Sequence, residues 1–458
     1  MAPGAQSGMG KWIALFVVVL AASLAAVLGI RPLAYSQGWL TNGGQSSLSP
    51  SALETYRVPT PTPSPITTEP ARVPTAEGLG AALRAVTADT DADLTAWVAD
   101  LRTGEVLFEQ GAWTPVVPAS GIKVLTATAL LASVASDQSV TTSVVLNDAG
   151  LVVLVGGGDP SLRSEPDPAA YPAAVSTRAL AQQTADALRA KGVTSVSVGF
   201  DDDLFVGPSW HPAWPMADEL YVGDVSALMV NGGSLGEAGF SHTPAEDAAR
   251  VFAGQLREAG ITVDAEVGRV DGQGATLASA ESPTMSVLVI DALLRSDNTA
   301  TEVLARHLAI AVGQPASFDG VSAAMRSTLE RLGLPVDGTV FADASGMAST
   351  NRVTAGLLGQ TIVKDANHVT LSRIVDGLPV GGASGTLRSR YGRDDARAGR
   401  GWVHAKTGTL AGVGSLTGYA QTADGALIAF SFVLNDGSDA GLRPYLDRLT
   451  ATIAACGC

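Results

Sequence analysis

The stretch Pro115–Val134, "PVVPASGIKVLTATALLASV", places Ser120 three residues before Lys123 and runs at once into an apolar, alanine-rich segment. The chain has only five lysines, Lys11, Lys123, Lys191, Lys364 and Lys406, against twenty-four arginines. Arginine stays protonated at any working pH, whereas a partly buried lysine can lose its proton and serve as a base. The Leu/Ala/Thr pattern predicts a buried helix from about Ser120 to Ala135. A serine in the first turn of such a helix meets unpaired backbone N–H groups and the positive end of the dipole, where a developing oxyanion is stabilised.

Two more short strings follow in order: S-D-N at Ser296–Asn298 and K-T-G-T at Lys406–Thr409. Each alone is weak, because a Ser three residues before a Lys is usually a surface pair. Together they form a set for serine acyl transfer, and two of the five lysines fall inside it. Lys123 is the candidate base for the Ser120 hydroxyl, its pKa lowered by burial and by the charge of Lys406. Ser296 can pass a proton to a leaving amine, and Asn298 can bind a substrate amide. Lys406, Thr407 and Thr409 on a strand edge can hold a terminal carboxylate, with Gly408 leaving room for a substrate backbone. Backbone N–H groups of Ser120 and Thr409 would form the oxyanion hole.

The chain resembles the low-molecular-mass penicillin-binding proteins of class C, the D-alanyl-D-alanine carboxypeptidase/endopeptidase family. The resemblance runs from about Glu77 to the C-terminus through "PASGIK", "LVGGGDPSL", "SDNTATEVLAR", "DASGMASTNRVT", "LPVGGASGTLRSR" and "AKTGTL". About 170 residues separate Lys123 from Ser296, the room for an insertion that a β-lactamase lacks. The resemblance implies an α/β (α+β) fold: a transpeptidase-like domain, its antiparallel sheet flanked by helices, interrupted by one inserted domain. It implies a penicillin-binding serine carboxypeptidase acting on peptidoglycan stem peptides through an acyl-enzyme, with D,D-endopeptidase activity open by the same chemistry. β-Lactam antibiotics would be its inhibitors, and no metal or organic cofactor is called for. Some relatives carry an arginine that reads a stem-peptide side chain where Ser349 stands here.

Composition sets the address and excludes some partners. A net charge of -15 with no offsetting basic cluster argues against nucleic acid. Residues 1–11 are expected on the cytoplasmic side. The uncharged run Trp12–Ile30 is long enough for a membrane anchor and also contains small residues that a signal peptidase accepts. Either reading exports the rest, to the outer face of the cell membrane or, if cleaved, as a secreted protein. Residues 31–76, with Pro59, Pro61, Pro63 and Pro65, read as an extended stalk. Beyond it the expected order is 77–138 as the first part of the transpeptidase-like domain, 139–283 as the inserted domain and 284–458 as the second part.

The remaining candidates read as structural. His211, His242, His307, His368 and His404 show no metal-ligand spacing, and "GGGDPS" at Gly156 lacks the lysine of a phosphate loop. Asp343 and Arg352 are expected to fix a loop. Cys456 and Cys458 close the chain as "CGC", expected to be a frayed tail. A β-lactamase, a catalytically idle wall-binding module and a penicillin sensor are the competing readings.

Overall fold

The computed structural model describes residues 71–88 and 92–458. The apolar run Trp12–Ile30 and nearly all of the stalk lie outside these residues. Among the described residues no helix is long and apolar enough to cross a membrane.

Helix α1 (Ala76–Thr87) starts where Thr75 Oγ1 accepts the Gly78 amide. Strands β1 (Asp93–Asp100) and β2 (Val106–Gln110) form a hairpin, its turn held by Asp100 Oδ1 on the Thr103 amide and by Gly104 at φ 75°. The expected single helix at Ser120 is divided. A 3-10 turn spans Ala119–Ile122, and the α-helix proper, α2, is Lys123–Leu131, buried along its whole length. Ala119 sits in the left-handed region at φ 47°, so α-helical geometry cannot extend back through it.

The middle of the chain builds a second sheet. Strands β3 (Thr141–Leu146) and β4 (Leu151–Val155) pair antiparallel, then α3 (Thr177–Ala190), β5 (Ser195–Asp201), α4 (Pro244–Glu258) and β6 (Thr262–Arg269) follow as crossover units. Strand β7 (Ala275–Glu281) returns to β3, giving the order β6-β5-β4-β3-β7, with β4–β5 and β5–β6 parallel. The apolar residues of these strands, among them Val144, Val152, Leu154, Val196 and Val198, pack against the apolar faces of α3 and α4.

The stretch from Met285 to Gly313 holds two helices. Helix α5 (Met285–Arg295) ends at Ser296, whose φ of 57° is left-handed, and Asp297 then caps α6 (Asn298–Ala311) through Oδ1 and the Ala300 amide. Helices α7 (Phe318–Arg331), α8 (Ala355–Ala366) and α9 (Ser372–Asp376) pack with α2 and α5 around one core. Strands β8 (Val403–Leu410), β9 (Val413–Gln421) and β10 (Leu427–Asn435) precede α10 (Asp439–Ala455). The first sheet is antiparallel throughout, in the order β2-β1-β10-β9-β8. Its central pairing joins β1 to β10, so segments from opposite ends of the chain close the sheet around the inserted one.

The C-terminal tail differs from expectation. Cys456 and Cys458 are joined in a disulfide, Cys456 is buried, and the Cys458 carbonyl accepts from Thr75 N (3.2 Å) and Oγ1 (3.1 Å). The tail is held by the cap of α1, a contact between residues 383 apart in sequence.

Candidate active site

Ser120 lies in the 3-10 turn, whose three-residue period brings side chains i and i+3 to the same side. Lys123 Nζ is accordingly 2.9 Å from Ser120 Oγ. The turn is wedged from two directions. A Cβ on Gly346, at φ 86°, would come within 2.0 Å of the Ala119 carbonyl oxygen, so only glycine lets that loop reach the Ser120 turn. A Cβ on Gly408 of β8 would lie 2.2 Å from Ser415 Oγ and 2.8 Å from the Pro118 oxygen. Ser415 Oγ itself donates to that same Pro118 carbonyl at 2.7 Å, tying β9 to the turn.

Lys123 is fully buried, and its amine also donates to Asn298 Oδ1 (2.6 Å) and to the Ser345 carbonyl (2.5 Å). Loss of hydration pulls its pKa down to about 8, opposed by the negative charges of Asp343, Glu302 and Asp297. The Lys406 amine, as a second positive charge in the same buried site, repels the Lys123 ammonium as Lys123 repels it. Burial first, and Lys123 second, hold the Lys406 amine well below its usual value. A ligand carboxylate arriving at Lys406 would draw the proton back, by adding the anion this buried amine lacks.

The second and third motifs meet directly. Lys406 Nζ donates to Ser296 Oγ at 2.7 Å and to the Thr407 carbonyl at 2.7 Å. The left-handed turn at Ser296 aims that hydroxyl at β8 while Asn298 begins α6 and faces Lys123. Such strained, non-glycine backbone recurs at functional sites. Asn298, expected to await a substrate amide, spends its Nδ2 on the Tyr221 carbonyl (2.9 Å) and Met347 Sδ (3.2 Å). Thr407 Oγ1 donates to Thr386 Oγ1 at 2.8 Å, and Thr409 is exposed. Strand β8 is an edge of the sheet, and its Ala405 amide points outward to the Pro379 carbonyl. By the two-residue period of a strand, the Thr407 and Thr409 amides point to the same outer side.

Several contributors had no motif. Glu302, one turn after Asn298 on α6, is fully buried and accepts the Ala344 (3.0 Å) and Ser345 (2.8 Å) amides, fixing the loop whose carbonyl holds Lys123. Burial raises its pKa to about 7. The i, i+4 spacing from Asn298 was the available signal, but it cannot reveal the loop opposite. Asp343 fixes that loop as expected, accepting from the Gly346 and Ala348 amides, Asn351 Nδ2 and Trp214 Nε1. Arg352 donates to the Ser349 and Asn351 carbonyls.

The histidines lie in local packing: His307 Nε2 meets the Gly158 carbonyl at 2.8 Å, His242 pairs with Asp224, and His404 stacks on Tyr419. "GGGDPS" is a tight turn, with Gly158 at φ 78° and Asp159 Oδ1 accepting from Ser161.

The architecture is that of a penicillin-binding protein. It superposes on penicillin binding protein 4 of Haemophilus influenzae with a TM-score of 0.68 at 18% identity, over 81% of this chain and 97% of that one. The family follows from sequence: residues 79–239 and 234–452 match the D-Ala-D-Ala carboxypeptidase 3 (S13) family, and the chain belongs to it. Carboxypeptidase DacB of Mycolicibacterium smegmatis is 36% identical over 421 residues, 87% of this chain and 90% of that protein. A D-alanyl-D-alanine carboxypeptidase of an Actinomadura species is 26% identical over 453 residues, 78% of this chain and 80% of that one.

Proposed function

We propose that this carboxypeptidase is a serine enzyme, that Ser120 carries the acyl group, and that the substrate is the D-Ala-D-Ala end of a peptidoglycan stem peptide. The observation that carries this reading is the 2.9 Å contact between Ser120 Oγ and a buried Lys123 amine whose pKa lies near 8. A neutral Lys123 takes the hydroxyl proton as Ser120 Oγ attacks the penultimate carbonyl carbon. The oxyanion is met by the amides of Ser120 and Thr409. The leaving D-alanine amine receives a proton through the Ser296 hydroxyl, which is already bonded to Lys406 Nζ. Lys406, Thr407 and Thr409 hold the terminal carboxylate along the edge of β8, with Gly408 sparing the backbone room. Once its proton has left with the amine through Ser296, neutral Lys123 takes a proton from the water that attacks the ester and delivers it to Ser120 Oγ as the ester bond breaks. The same reaction on a D,D-crosslink would make the enzyme an endopeptidase.

β-Lactams present a strained amide to the same nucleophile, and the Haemophilus influenzae relative has been solved with a β-lactam bound. The run Trp12–Ile30 and the proline-rich stretch after it support an extracytoplasmic catalytic part on a membrane tether. The test is mass spectrometry after exposure to a labelled penicillin. An adduct on Ser120, lost in Ser120→Ala, is expected; a folded wild-type protein with no adduct there overturns the assignment. Digestion of purified muropeptides then distinguishes loss of terminal D-alanine from cleavage of crosslinks.

A further inference from the structure

Arg306 is on α6, two turns beyond Asn298, and only 1% of it is exposed. Among the described residues its guanidinium has no hydrogen-bond or ion-pair partner; Nε and Nη1 are buried and unsatisfied. Glu302, one turn earlier, attracts it without forming an ion pair. The guanidinium carbon lies 4.0 Å from the centroid of the Phe318 ring, a contact that covers one face and supplies no acceptor for the N–H donors. A buried charge without a paired anion is costly, and its retention needs a reason.

Arg306 forms part of the wall of a cavity of about 290 Å³, where the segments after β5 and before α4 meet α6; Phe205, Ser209 and Ser226 line it too. The other charges on that wall are already matched. Asp202 pairs with Arg269 at 2.8 Å, His242 with Asp224 at 2.9 Å, and Glu246 with Arg250 at 2.8 Å. Arg306 is in none of these ion pairs.

We propose that this cavity binds a carboxylate, with Arg306 as its counter-charge. A planar monoanion fits the guanidinium fork. A dianion is disfavoured because Asp202 and Glu246 share the wall. The site is separate from the acyl-transfer centre, since eight residues of α6 put Arg306 about 12 Å along the helix from Asn298. The carboxylate is either a free small acid or one borne on a peptide, and the chemistry of capture is the same.

Isothermal titration of the full-length protein tests this, with acetate at constant ionic strength and with acetyl-diglycine as free acid and as amide. Saturable binding of acetate or the free-acid peptide is expected, weakened at least about tenfold in Arg306→Gln. Val206, 48% exposed on the cavity wall, supplies a second variant: Val206→Trp blocks the cavity without altering the guanidinium and should weaken binding equally. A free-acid peptide that outcompetes acetate assigns the peptide-borne source, and the reverse assigns the small acid. Absence of saturable heat, binding that survives Val206→Trp, equal binding of the amide, or tighter binding of inorganic phosphate overturns the proposal. None of these readouts uses peptidase activity, so failure here leaves the assignment of Ser120 standing.

Discussion

Acylation of Ser120 should follow the free-base fraction of Lys123. With a pKa near 8 set by burial, about a tenth of molecules carry the neutral amine at about pH 7 and about a hundredth at about pH 6. The single-turnover rate of labelling by a fluorescent penicillin should then rise roughly tenfold per unit from about pH 5.5 to 7.5 and level off above about pH 8.5. Glu302 supplies the perturbation. While ionised it stabilises the Lys123 ammonium, and its own pKa near 7 falls inside the same window, so the two protons leave as a coupled pair. Glu302→Gln keeps an oxygen for the Ala344 and Ser345 amides but removes the charge. The ammonium loses an attractive partner, its pKa falls, and the midpoint of the acylation profile moves to lower pH, with faster labelling near about pH 6.5. Lys123→Arg, unable to act as base, should fold and remain unlabelled. A flat wild-type profile between about pH 6 and 9, or a midpoint that moves upward in Glu302→Gln, would refute this account of the base.

Three other outcomes are expected. Because the Glu302 pKa is raised from 4.5 to about 7 by folding, the native state binds the extra proton between those values. Its contribution is therefore complete below the unfolded pKa and lost as pH rises through about 7, which makes Glu302→Gln more stable than wild type at about pH 8 by up to about 3 kcal/mol, with little difference near about pH 4; urea titration at both pH values reads this, and equal differences would contradict it. Gly408→Ala should destabilise by about 1–3 kcal/mol and slow labelling, since its Cβ meets Ser415 Oγ and the Pro118 oxygen; adding Ser415→Ala should recover only part, because the clash with backbone remains, and full recovery would count against the wedge. Ser120→Ala removes one hydrogen bond to Lys123 and should change stability by no more than about 1 kcal/mol while abolishing labelling; a variant that unfolds would show the nucleophile turn to depend on that bond.

Much of the site was readable because its chemistry is local. Ser120 and Lys123 are three residues apart, Ser296 and Asn298 two, and Lys406 to Thr409 contiguous, so each string carries its own geometry once the element type is known. Glycine turns also mark the sequence at the β1–β2 hairpin, Gly104, and between the closing strands, Gly412 and Gly425. The boundaries were less readable. Propensity runs smoothly through "SGIK" and through "LLRSDN", and nothing in either string announces the left-handed residues Ala119 and Ser296. Those conformations are imposed by packing, at Ala119 by the close approach of Gly346 and β8.

By itself, the sequence determined which side chains could do chemistry and in what order they occur, because reactivity belongs to residue type and short spacing. Only the tertiary structure decided that the Lys123 amine touches Asn298 while Lys406 touches Ser296, that Glu302 props the loop whose carbonyl holds Lys123, and that both amines are buried. It alone shows the tail locked to α1 and a buried Arg306 without an anion. The physical reason is that burial and charge pairing depend on distance in space, and pairs such as Glu302–Ser345, Lys406–Ser296 and Thr75–Cys458 lie 43, 110 and 383 residues apart along the chain.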